Sequence, residues 1–247
     1  MGRILSPSRV VIAVILVALG LVPFAVSQTD VSMSFNGDYS AVSCIGPDGC
    51  VGAGLYGGTI NGVNVGPGQA IPGMICDDYA DNITNGETWT ASAVDVANLN
   101  SSNIGSLTLF GNKIGVAGYT EVAFLVNMMF TQNLTPSQQA AISEAIWFIT
   151  GGTSTLKPGT TLDAAAQAYV NAAMAAYAAG KISLSQFANL YLFTPTPQGP
   201  GEAQEMWSLV SVPEGGSAWL YLLFTSLACG AAIVLRSRHV RGEVRLG

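Results

Sequence analysis

Cys76-Asp77-Asp78, with Asp81 just beyond, is the densest group of reactive side chains in the sequence. Three chemistries fit such a group. The thiolate would act as a nucleophile. The three carboxylates would offer hard oxygen ligands to Ca²⁺. Asp77 or Asp78, paired with Glu87 or Glu144, would make the two-carboxyl site of a glycosidase. Each has a plainer counterpart. Asp77, Asp78 and Asp81 lack the twelve-residue spacing and closing Glu of an EF-hand loop, so a turn with carboxylates capping backbone amides is expected and no metal. Nothing in the spacing marks the carboxylate pairs, so no catalytic residue is expected either. Tyr56, Tyr79, Trp89, Trp147 and Tyr169 would stack on sugar rings. Trp147, however, shares a helical face with Ile142 and Ile146 and reads as core. The one histidine, His239, lies near the C-terminus, which removes Ser-His-Asp and Cys-His catalysis and histidine-based zinc sites from the middle of the chain. There is no Gly-x-x-x-x-Gly-Lys-Ser/Thr loop, and no Arg between Gln28 and Ser211 to grip phosphate. No cofactor is expected.

Charge and cysteine usage bear on the compartment. Between Gln28 and Ser211, Lys113, Lys157 and Lys181 face thirteen carboxylates. The whole chain is only −6 because all six Arg lie at its two ends. A middle this acidic has no electrostatic footprint for nucleic acid. Cys44 and Cys50 bracket the turn-rich loop Cys-Ile-Gly-Pro-Asp-Gly-Cys and would close a disulfide in an oxidising compartment. Cys229 lies in an apolar run, which leaves Cys76 over.

Both ends read as membrane addresses. Residues 1–27 carry Arg3 and Arg9, an apolar stretch from Val10 to Val26, and Ala25-Val26-Ser27, so a signal peptide cut before Gln28 is expected, with an uncleaved anchor as the alternative. At the other end, 212–216 form a break. The uncharged run 217–235 is long enough for a transmembrane helix. In 236–247, Arg236, Arg238 and Arg241 form a basic membrane stop on the cytoplasmic side, followed by Arg245. The two ends agree that residues 28–211, one domain by length, are exported.

The elements that must position the reactive group follow from periodicity. Residues 28–109 read as β structure. Val31 to Phe35 alternate, Asn61-Gly62 between short apolar runs signals a hairpin, Ala70 to Cys76 ends a strand, and Glu87 to Val94 alternate again. From Tyr119 to Phe130 the period is helical. Thr135, Pro136 and Gln138 mark the start of a second helix that stops at Gly151-Gly152. A third runs from near Thr161 to Gly180, and Ser183 to Gln186 suggest a short fourth. Leu190 to Phe193 and Met206 to Val210 look like strands. This predicts an α+β fold: a β-rich N-terminal half, a bundle of about three helices, then short strands, plus the C-terminal transmembrane helix.

The order Val212-Pro213-Glu214, apolar run, Arg cluster resembles the PEP-CTERM sorting signal, which exosortases read in bacteria that export polysaccharide. The family usually has Pro where this chain has Gly215. The resemblance implies an exosortase-type membrane protease or transpeptidase as partner and the extracellular polysaccharide layer as setting. Gly199-x-x-x-x-Gln204-Glu-Met206 also looks like members of that set. A second resemblance is to thioester-forming adhesion domains, in which a Cys on an early strand and a Gln on a later helix join into an internal thioester that captures amines. Met74-Ile-Cys76-Asp77-Asp78-Tyr79 is similar to the first motif and Ile142-Ser-Glu-Ala-Ile-Trp147 to the second. Matched in this way, the Cys falls on Cys76 and the Gln on Ser143, which has no acyl group to give. Gln139 shares the helix face but lies one turn, about 6 Å, away. The resemblance therefore implies a thioester-like fold without the bond. The expected function is that of a non-enzymatic surface or extracellular-matrix protein, structural or adhesive in the polysaccharide layer. A covalent adhesin using Cys76 and a membrane-anchored glycan-binding protein are the alternatives.

Overall fold

Alternation begins where expected and runs further. Val31, Met33 and Phe35 point one way and their neighbours the other along a single long strand, β1 (Thr29–Ser43). In a computed structural model, described over residues 29–46, 49–197 and 203–209, six more strands follow: β2 (Val51–Ile60), β3 (Val63–Val65), β4 (Met74–Cys76), β5 (Thr88–Asp95), β6 (Tyr191–Pro195) and β7 (Met206–Ser208). The signal peptide, the sorting motif Val212, Pro213 and Glu214, the apolar run and the stop Arg236, Arg238 and Arg241 all lie outside the described residues.

The strands run in the order β1-β5-β6-β7-β4-β2, and β2 pairs back onto β1. Six antiparallel strands thus close into a barrel, which leaves no open edge in the ring. The short β3 extends the edge of β2 beyond β4, through a hairpin at Asn61 (φ 49°) and Gly62 (φ 77°), as the Asn-Gly pair predicts. Two register shifts in β1, between Phe35 and Tyr39 and between Tyr39 and Ala41, turn the strand. Before them its odd positions fill the barrel; after them Ala41 packs with the helices. At Gly58 a Cβ would stand 1.9 Å from the Ser34 carbonyl oxygen, so the approach of β1 to β2 requires glycine there.

A barrel this narrow is filled by its own side chains. Val31, Met33, Phe35, Tyr56, Ile60, Met74, Cys76, Ala91, Ala93, Phe193 and Met206 form that interior, with members from all six strands. The alternate residues Leu55, Ile75, Val94, Leu192 and Trp207 face outward into a second core under the helices. Those helices are α1 (Ile104–Leu107), α2 (Gly111–Thr131), α3 (Pro136–Gly151) and α4 (Ala164–Ala178). Helix α3 lies on β1 and β2 and touches both α2 and α4. Its start carries the expected capping box, Thr135 with Gln138, and Pro at the first turn. Helix α2 begins eight residues earlier than its apolar period, and Gly115 (φ 60°, ψ −166°) breaks it before Tyr119. By length and composition α2 would pass for a membrane span. Its residues Tyr119, Val122, Leu125 and Val126, however, are buried in the core beneath the helices.

The architecture refines the expected strand–helix–strand order in one respect. The strands after the helices are not an appendix. β6 and β7 insert between β5 and β4 and complete the ring begun by the N-terminal half.

Candidate functional site

β4 and β7 carry the chemistry because of how they pair. Their register is Met74 with Ser208, Ile75 with Trp207 and Cys76 with Met206. Continued one residue, it sets Asp77 opposite Glu205, and the Asp77 amide donates to the Glu205 carbonyl at 3.3 Å. Continued again, it sets Asp78 opposite Gln204. Alternation then sorts the side chains by face. Cys76 and Gln204 are diagonal neighbours on one face of the antiparallel pair, within reach of a long side chain. Asp77 and Glu205 lie on the other face, with Trp207, towards the helices.

On the Cys76 face, two groups meet at one oxygen. The Cys76 thiol donates to the Asp78 carbonyl at 2.9 Å, and the Gln204 side-chain amide donates to the same carbonyl at 2.9 Å. The sulfur and the amide nitrogen are therefore no farther apart than the sum of those two contacts. The Asp78 amide donates to Sγ at 3.2 Å, and Gln204 also donates to the Asp81 carbonyl. Gln204 Oε1 is buried and accepts no hydrogen bond among the described residues. The Trp147 indole donates to the Cys76 carbonyl at 3.1 Å and fixes the strand end from α3. Burial pushes the Cys76 thiol well above its usual range, and the neighbouring Asp78 and Asp77 carboxyls push it the same way. The sulfur is thus held as a thiol, shielded from water. Gln204 forms part of the wall of a cavity of about 120 Å³, with Phe35, Tyr39, Tyr56, Tyr79 and Asn82 around it. Cys76 and Gln204 thus meet at one backbone carbonyl, and of the two only Gln204 lines the cavity.

The opposite face holds a buried pair of carboxyls. Glu205 accepts from the Tyr119 hydroxyl at 2.6 Å, the Leu109 amide at 2.8 Å and the Thr194 hydroxyl at 2.5 Å. Asp77 Oδ2 accepts from the Trp207 indole at 2.7 Å. Burial raises the affinity of both carboxyls for protons, and the Glu205 charge raises that of Asp77 further. The two buried carboxyls face each other across the strand pair, which places them to share one proton. With so many donors, Glu205 is the acceptor. Asp77 Oδ1 has no partner among the described residues, which leaves it free to hold such a proton. Burial pushes Asp78 up to about 6, partly offset by the Ala80 amide that its carboxylate caps at 2.9 Å.

The other sequence expectations fall elsewhere. Ser143 does not meet Cys76 in a hydrogen bond. Its hydroxyl accepts from the Gly54 amide at 2.9 Å, under α3. Gln139 takes the Ser40 hydroxyl and donates to Leu134. The glutamine that shares an acceptor with Cys76 is Gln204, on the approach to β7. Glu144 accepts from Ser43 at 2.8 Å, and Glu87 caps Thr84, so neither pairs with Asp77 or Asp78. The three aspartates do not all converge either: Asp78 meets Asp81 and caps Ala80, while Asp77 turns away to Trp207. Cys44 and Cys50 are joined in a disulfide. Trp147 is core, as expected, and meets Tyr79 edge-on at 5.2 Å between ring centres. Glu205, Tyr119 and Trp207 fell within predicted elements or motifs, but no signal singled them out as a site. Gln204 did stand out, in the stretch Gly199 to Met206, but nothing in one dimension tied it to Cys76.

Compared with known proteins, the chain matches no family model, no curated protein and no solved structure.

Proposed function

We propose that this chain is an exported surface protein whose barrel domain closes an internal thioester between Cys76 and Gln204 and uses it to attach covalently to amines. The observation that carries the reading is the shared acceptor: thiol and carboxamide both donate to the Asp78 carbonyl, in a buried site beside an aromatic-lined cavity. The chemistry balances. Sulfur attacks the Gln204 amide carbon, the C–N bond breaks, and the thiol proton leaves with the nitrogen as ammonia. An incoming primary amine then attacks the same carbon. It expels the Cys76 thiolate, which recovers a proton from the amine, and an amide bond remains between Gln204 and the target. Holding both partners at one carbonyl replaces a bimolecular encounter, which offsets the poor nucleophilicity of a buried thiol.

The exported setting rests on the two ends of the sequence, and the Cys44–Cys50 disulfide is in keeping with an oxidising compartment. In this reading residues 1–27 direct export. Val212-Pro213-Glu214, the span 217–235 and the stop Arg236, Arg238 and Arg241 deliver the chain to an exosortase-type membrane protease or transpeptidase. The protein then serves as an adhesive or structural component of the extracellular polysaccharide layer. A second reading draws on the cavity alone: its ring of Phe35, Tyr39, Tyr56 and Tyr79 suits the apolar face of a sugar, which would make the domain a non-covalent glycan binder.

Intact mass decides between the two. A thioester leaves the protein ~17 Da below the mass of the same disulfide-bonded chain without it, through loss of ammonia, and methylamine should add in its place. A mass without that loss, unchanged by methylamine, would refute the covalent reading and leave the glycan-binding one. Mapping the C-terminus of the mature protein from its native host tests the sorting signal. An end between Val212 and Gly216 supports processing, and an intact Arg245 overturns it.

A further inference from the structure

Asp77 and Glu205 are the chain neighbours of Cys76 and Gln204, and they face each other across the same pair of strands. Among the described residues their surroundings offer several neutral donors but no cation, and Asp77 Oδ1 has no partner. β7 contributes the Trp207 indole, α2 the Tyr119 hydroxyl, β6 the Thr194 hydroxyl and the segment before α2 the Leu109 amide. From α3, the Thr150 hydroxyl donates to the Asp77 carbonyl at 2.6 Å. On the β4 side, the other titrating groups close by are Cys76 and Asp78. Tyr119 stacks on Trp207, which covers the pair from the helix side.

We propose that the buried, facing Asp77–Glu205 pair is a proton-dependent clamp that positions Cys76 against Gln204, so that the thioester closes in acidic surroundings and fails to close as the pair loses a shared proton. The inference rests on the thioester reading above. With one proton, the two carboxyls hold the chain together one residue past the ends of β4 and β7. Without it, two like charges face each other across the strand pair in a water-poor interior with no lysine or arginine among the described residues to separate them, and they repel strongly. The chain ends relieve this by moving apart. Because Cys76 and Gln204 are the next residues on the same two segments, that movement parts sulfur from acyl carbon. Asp77 and Glu205 touch neither reacting atom, so they are positioning residues.

The test uses full-length protein recovered unfolded in denaturant and refolded into detergent at pH 5 and pH 9. The rate of ammonia loss is followed by intact mass, and folding by circular dichroism. Asp77→Asn keeps the shape and supplies an N–H to Glu205 that does not titrate. The ratio of its rate to that of wild type should rise about tenfold or more between pH 5 and pH 9, because only the wild-type clamp loses a proton. Taking the ratio cancels the titration of Cys76 itself. Tyr119→Phe removes a donor from ionised Glu205, so its decline should move to higher pH than in wild type, and it decides the matter if Asp77→Asn does not fold. An equal ratio at both pH values, or a Tyr119→Phe profile that overlays wild type, overturns the clamp and leaves the thioester standing. Folded wild type that never loses ammonia at any pH removes the thioester reading, and the clamp with it.

Discussion

Trp147 and Trp89 show how differently two indoles serve the same domain. Trp147 spans from α3 to the strand end and gives its N–H to the Cys76 carbonyl. Trp89 packs half-buried against the barrel interior, and its N–H is buried with no partner among the described residues. Removing a satisfied donor strands its acceptor, whereas removing an unsatisfied one relieves a desolvation cost. Trp147→Phe should therefore lower stability by about 1–3 kcal/mol and slow thioester closure by loosening Cys76. Trp89→Phe should be neutral or slightly stabilising. Urea melts and intact mass of the two variants side by side check both expectations, and equal losses in stability would show that the indole bonds do not set the difference.

At the scale of elements, α3 is the part that links the barrel to the strand end at Cys76 and Asp77. From one helix come Ser143 to the Gly54 amide of β2, Glu144 to Ser43 of β1, Trp147 to Cys76 and Thr150 to Asp77. A helix that makes so many cross-connections must start at a defined residue, since a frayed first turn would let the helix slip against the strands. Thr135 sets that start: its hydroxyl accepts from the Gln138 amide, and Gln138 answers to the Thr135 amide. Thr135→Ala should cost about 1 kcal/mol, in the range of other lost N-caps. Thr135→Ser should restore most of it. Chemical denaturation of both variants is the measurement, and a Thr135→Ala protein as stable as wild type would mean that packing alone sets the helix start.

For the whole molecule, burial gives the domain an acid-leaning stability. Asp77, Asp78, Glu144 and Glu205 are all pushed above ordinary carboxyl values, chiefly by desolvation, with Asp78 at about 6. In the unfolded chain such groups titrate near 4. Between these limits the folded state holds more protons than the unfolded state, so stability must fall as pH rises. The contribution is fully present below about pH 4 and is lost as pH passes through the folded values; for Asp78 alone it amounts to roughly 3 kcal/mol. Repulsion among thirteen carboxylates facing three lysines acts in the same direction. The melting temperature of the full-length protein in detergent should be higher at pH 5 than at pH 8. A higher value at pH 8 would show that these carboxyls are not buried as described.

Much of this protein was legible in one dimension. Alternation along Val31 to Phe35, the Asn61-Gly62 turn, the Thr135 capping box and Gly180 at the end of α4 are local signals, and the chain obeys them because each concerns residues a few positions apart. Cys44 and Cys50 belong to the same class, since so short a loop brings its ends together. The barrel and its site belong to another class. That β7 slots between β6 and β4 depends on pairings across more than a hundred residues, and neither three-residue strand has a pattern long enough to announce its partner. Local pattern therefore pointed to a Cys76 without its glutamine. Only the antiparallel register of β4 with β7 could decide that Gln204 is the diagonal neighbour of Cys76, and that Asp77 and Glu205 meet on the other face. Side-chain chemistry was fixed residue by residue, but which residues share a face was settled only when the ring closed.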